Sequence, residues 1–153
     1  MTRRVDTRNA ASAARIGELG TRLSDDDLGV QIDGPWTAGS LFAHIAFWDR
    51  FLVSRWRDAL GRGDHAPTPI DDAIADLLND AGIPEWSSVP GREAIRLCIE
   101  AARGADSIIA SLADDVVQEL LDTGRERLVD RSLHRGEHLD TIESAFPGQR
   151  QLS

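Results

Sequence analysis

Lysine and tyrosine are absent from this chain, and cysteine occurs once in 153 residues. Each gap removes a class of chemistry. All 17 basic residues are arginine, so neither a Schiff-base amine nor a phosphate-loop lysine is available. No glycine-rich phosphate loop is present either. The single cysteine, Cys98, cannot form an internal disulfide framework and fits a reducing compartment. No run of eighteen apolar residues occurs, and the opening MTRRVDTRNA lacks the apolar stretch of a secretion signal. A cytoplasmic protein is therefore expected. Positive charge is also scarce: 17 basic residues stand against 26 acidic ones, for a net charge of −9. That balance argues against nonspecific binding to nucleic acid or to anionic membranes.

What remains is 41% apolar and 28% charged, the composition of a folded globular chain. Its length suits a single domain spanning 1–153. Strand signals are nearly absent, and apolar residues recur at helical spacing. Ala13, Ile16, Leu19 and Leu23 predict a first helix over about 7–23. Thr37 is a good N-cap for a second helix, striped by Leu41, Ile45, Trp48 and Leu52 and ending near 61–63. A short amphipathic helix through Ile70, Ile74, Leu77 and Leu78 precedes a loop, GIPEWSSVPG. Ile95, Ile99, Ala102 and Ile109 mark a third long helix, and a short segment follows over 116–121. The last helix is expected to open on the capping-box spacing TGRE (123–126), to carry Leu128, Leu139, Ile142 and Phe146, and to stop at Pro147-Gly148. Four long helices with polar outer faces predict an all-α, antiparallel four-helix bundle with an extra short helix in the long middle connection.

Four histidines are present: His44, His65, His134 and His138. His134 and His138 are one helical turn apart, so both imidazoles leave the same face. At about 100° per residue, His138 lies about 40° from Ile142, bordering the apolar stripe. His44 is one turn from both Leu41 and Trp48, so it too faces inward. Buried imidazoles need partners. Two readings fit the spacing: each histidine makes one hydrogen bond at a helix interface, or the three hold zinc, nickel or ferrous iron with an open position. HRGEH also matches the H-x-x-E-H of some zinc proteases. That chemistry needs a further ligand downstream and a larger mixed scaffold, neither of which is present. Asp130, one turn below His134, is a candidate to orient that ring. His65, in DHAPTP, is expected to be exposed, and Cys98 to be a buried inert thiol. The four tryptophans are expected mostly to pack, with Trp86, in a loop, a candidate for a pocket mouth or lid, and Phe42, Phe47, Trp48 and Phe51 are expected near His44. No basic cluster is evident beside the triad, so a mostly apolar pocket for a neutral or singly charged molecule is expected.

WTAGSLFAHIAFWDRFL resembles the second-helix signature of the DinB-like superfamily: Trp36 before the helix, His44 eight residues on, then the pair Trp48-Asp49. RSLHRGEHLDTIE resembles the last helix of that superfamily, where an H-x-x-x-H pair completes a three-histidine metal site. The order of elements is similar over nearly the whole chain. The resemblance implies a divalent metal, zinc, nickel or iron, on His44, His134 and His138. Through the related N-terminal domain of mycothiol-dependent maleylpyruvate isomerase and the bacillithiol transferases, it also implies a low-molecular-weight thiol. The isomerase pattern has Glu where this chain has His134, and its additional C-terminal domain has no counterpart after PGQRQLS. The resemblance therefore implies a metal-dependent thiol transferase or isomerase acting on a small molecule. The alternative is a noncatalytic small-molecule-binding or stress-response protein with a vestigial metal site. A small-molecule ligand and a homodimer are the partners expected, with no nucleic acid and no membrane.

Overall fold

A computed structural model describes residues 2–147. Helix α1 (Arg4–Arg22) is followed by the single turn α2 (Asp25–Leu28) and a hairpin of β1 (Gln31–Asp33) and β2 (Trp36–Thr37). Then come α3 (Ala38–Gly61), α4 (Asp72–Ser88), α5 (Gly91–Ala110), α6 (Asp114–Asp122), a 3-10 turn (Glu126–Leu128) and α7 (Ser132–Ala145). α3 packs most extensively on α5, and α1 packs on both α5 and α7. These four long helices make the all-α bundle expected from the apolar periodicity. The hairpin was not expected: Asp33-Gly34-Pro35 turns the chain between two very short antiparallel strands. No helix among the described residues is long and apolar enough to cross a membrane.

Two local expectations need correction. GIPEWSSVPG is not a loop, because α4 runs through Pro84 to Ser88. The helix survives an internal proline because Trp86 is buried against the bundle, an apolar gain comparable to the roughly 3 kcal/mol a proline costs. Gly82 makes room for that ring: a Cβ there would lie 2.4 Å from the Trp86 indole. The helix in the middle connection is thus 17 residues long, not short. TGRE does not cap the last helix either. Thr123 ends α6, its hydroxyl donating to the Glu119 carbonyl at 2.8 Å. Gly124 then takes φ 76°, a left-handed conformation that suits glycine, and turns the chain away. α7 starts only at Ser132 and ends before Phe146; Gly148 lies outside the described residues.

The core is divided into two apolar regions. One gathers Ile16, Leu41, Ile45, Cys98, Leu139 and Ile142; the other gathers Leu52, Trp56, Ile109, Leu120 and Val129. Along all four long helices, the residues between these regions are polar and buried: Asn9 and Ser12 on α1, Asp49 on α3, and Arg131 and Arg135 at the start of α7. Asp106 of α5 joins them through Arg135 at 2.9 Å. Burial without partners would be costly, but every member is hydrogen-bonded. Asp49 accepts from Arg131 Nε and Arg135 Nε, each at 2.9 Å. Asn9 accepts from the Arg131 backbone N–H at 2.8 Å and donates to the Val129 carbonyl at 2.8 Å. Ser12 accepts from Arg135 at 3.0 Å.

Candidate metal centre

α3 begins with a reciprocal capping box. Thr37 Oγ1 accepts from the Ser40 N–H at 3.0 Å, and Ser40 Oγ accepts from the Thr37 N–H at 2.8 Å. This fixes the helix start and sets His44 inward in its second turn, where the residue is 3% exposed. His134 and His138 stand on successive turns of α7. The Asp49 ion pairs clamp the same two helices within a few residues of the histidines.

The three histidines converge. His44 Nε2 lies 3.1 Å from His134 Nε2 and 3.1 Å from His138 Nε2, and the latter two are 3.2 Å apart. Three nitrogens bound at about 2.1 Å to one ion would be about 3.0 Å apart at right angles and about 3.4 Å apart in a tetrahedron. The observed separations fall between these values, so the triad could hold a metal ion. Hydrogen bonding alone cannot satisfy the cluster. Each neutral imidazole has one N–H, so any placement of protons on three mutually adjacent nitrogens leaves two lone pairs or two N–H groups facing each other. A cation at the centre removes that conflict. The Nδ1 atoms of His44 and His134 are buried without a hydrogen-bond partner among the described residues. With the metal on Nε2, the neutral tautomer places the proton on those Nδ1 atoms.

The electrostatics suit ligation, because only a neutral imidazole binds metal. Burial, then the charge of His138, pushes the His44 pKa down to about 3. Burial, then Arg131, puts His134 well below the ordinary range. Burial also lowers His138, with Glu137 and Asp33 opposing. Three of the four tryptophans surround His44, their ring centroids 5.0 Å (Trp36), 4.9 Å (Trp86) and 6.4 Å (Trp48) away.

The other singled-out residues lie elsewhere. Asp130 does not orient His134: it precedes α7 and accepts from the Ser132 N–H at 3.1 Å, the Ser132 hydroxyl and Arg8. His65 is exposed, as expected, and contacts Glu119. Cys98 is buried as expected, and burial raises its thiol pKa. Trp86 packs inward from α4 against Trp36 and His44 and is no loop lid. Phe42 is wholly buried in the core, whereas Trp48 and Phe51 line a cavity of about 470 Å³. Of the triad, His134 borders this cavity. Its walls are largely apolar, but Arg55, Arg125, Arg127 and Arg131 also reach it. The expectation of no basic cluster beside the triad is therefore wrong. Arg125, Arg127 and Arg131 stand in the stretch RERLVDR just before His134, a signal the sequence carried, and the fold adds Arg55 to them.

A helical bundle that projects histidines from two facing helices to one point is a common architecture for a metal site. This chain belongs to the DinB superfamily, whose family model matches residues 9–144. No curated protein and no solved structure matches it.

Proposed function

We propose that the chain binds a divalent metal ion, zinc, nickel or ferrous iron, on His44, His134 and His138. In this reading the site activates a small molecule, with a low-molecular-weight thiol as nucleophile in a transfer or isomerisation reaction. The observation that carries the proposal is the convergence of three Nε2 atoms within 3.2 Å of one another, beside a cavity of about 470 Å³. A divalent ion there supplies Lewis acidity, lowering the pKa of a thiol or water that reaches it. The chain's own residues do the rest. Depressed histidine pKa values keep the ligands neutral, Asp49 with Arg131 and Arg135 holds α3 and α7 in register, and Trp36 and Trp86 keep water from His44.

A noncatalytic binding role is the second reading. Two specific observations favour it. Cys98 is shut in the core, and Asp130 is engaged by Ser132 and Arg8, so neither serves as a nucleophile or base at the site. Cobalt-substituted protein separates the two readings. Addition of thiols is expected to shift its visible absorption as sulfur enters the coordination sphere, followed by turnover with an electrophile. A cobalt spectrum that responds to azide but to no thiol would favour the noncatalytic role.

A further inference from the structure

The cavity beside His134 has a charge pattern that metal binding alone does not use. Arg55 Nη2 donates to the Thr68 carbonyl at 2.6 Å, and Arg125 Nη2 donates to the carbonyl of the preceding residue, Pro67. Carbonyls of consecutive residues thus hold the two guanidinium groups close to each other at the cavity wall. Burial, then the charges of Arg131 and Arg125, lowers the Arg55 pKa, so like charges face one another there. The other cavity arginines are matched: Arg127 with Glu137 at 2.7 Å and Arg131 with Asp49 at 2.9 Å. Among the described residues Arg55 and Arg125 have no carboxylate partner, although Glu126 also lines the cavity. Two unmatched arginines against one glutamate leave a single positive charge.

The remaining wall is aromatic. Arg55 lies over the Phe51 ring at 5.9 Å. Trp48 is fixed by donation from its indole N–H to Asn79 Oδ1 at 2.8 Å. We propose that this cavity binds a small monocarboxylate, its carboxylate held by Arg55 and Arg125 and its body lying along Trp48 and Phe51 toward His134. Guanidinium groups take both oxygens of a carboxylate in a fork, and pairing in a half-buried site is stronger than at the surface. A single surplus charge matches a monoanion better than a dianionic phosphate. The inference rests on the reading above in one respect, that the cavity is the approach to a metal at the triad.

Two thiols of one shape separate charge from metal affinity: 3-mercaptopropionate and 3-mercaptopropionamide. Tryptophan fluorescence reports cavity occupancy, and the cobalt absorption bands report the metal. The parent protein is expected to bind the acid roughly tenfold or more tightly than the amide, a preference that weakens as salt is raised. The double variant Arg55→Gln, Arg125→Gln should lose the preference while binding the amide as before. Arg57→Gln, an exposed change on the same helix outside the cavity, should keep it. Equal binding of acid and amide by the parent overturns the proposal, as does a preference that survives the double variant. If the double variant misfolds, the acid-to-amide ratio of the parent and its salt dependence decide. A parent that takes up no cobalt yet still prefers the acid by fluorescence loses the metal reading and keeps this one. Cobalt bands that shift equally with both thiols do the reverse.

Discussion

His44, His134 and His138 stay neutral because the fold surrounds them with apolar rings and arginine charges, and this has a cost in acid. Each has a folded-state pKa below its unfolded value near 6.5. Below that pH the unfolded chain takes up protons that the native chain refuses. The contribution of these residues to stability is therefore complete above about pH 6.5 and is lost as pH falls toward the folded-state values. Each costs up to about 1.4 kcal/mol per pH unit in that window. Metal-free protein should show a falling melting temperature from pH 7 to pH 5; a flat profile would mean that the imidazoles are not buried as described. Cys98 gives a second check. Its thiol is enclosed and its pKa raised, so thiol reagents should label it only after unfolding, and rapid labelling of native protein would contradict the packing of α5.

At the scale of elements, the seam between α3 and α7 depends on Asp49. Its carboxylate is fully buried and pairs with both Arg131 and Arg135, buried residues of which Arg135 also pairs with Asp106. Asp49→Ala leaves Arg131 buried without a carboxylate and Arg135 with Asp106 alone, and a loss of about 3–5 kcal/mol is expected by denaturant titration. A loss under about 1 kcal/mol would mean that Arg131 reaches water or another partner instead. α4 has its own test. Gly82→Ala gains up to about 1 kcal/mol of helix propensity but forces the Trp86 ring off His44, an overpacking cost of about 1–3 kcal/mol. Net destabilisation with altered tryptophan fluorescence is the expected result. Helix existence and the inward placement of each histidine were legible from apolar stripes and spacing, whereas joining His44 to the His134–His138 pair on another helix rested on the family resemblance. The polar seam also left a trace: Asp49 is one turn from Ile45 and Arg135 one turn from Leu139, charged residues at inward positions. What was illegible depends on contacts between distant segments. The continuation of α4 through Pro84 requires the pocket that Trp86 fills, and TGRE matches a capping box that Gly124 turns away from any helix.

For the whole molecule, two apolar regions on either side of a hydrogen-bonded polar seam form a frame on which a candidate metal site and an arginine-lined cavity are placed. An ion that binds only the native arrangement must stabilise it by an amount that grows with the logarithm of its concentration over Kd. Loading with zinc, nickel or cobalt should therefore raise the melting temperature of the parent protein and leave His134→Ala unmoved. The most direct test of the central claim is metal stoichiometry on protein purified without a histidine tag, measured by elemental analysis and cobalt titration. One divalent ion per chain is predicted for the parent and for His65→Ala, with affinity falling by orders of magnitude in His44→Ala, His134→Ala and His138→Ala. A parent that binds no divalent ion, or triad variants that bind as the parent does, would contradict it.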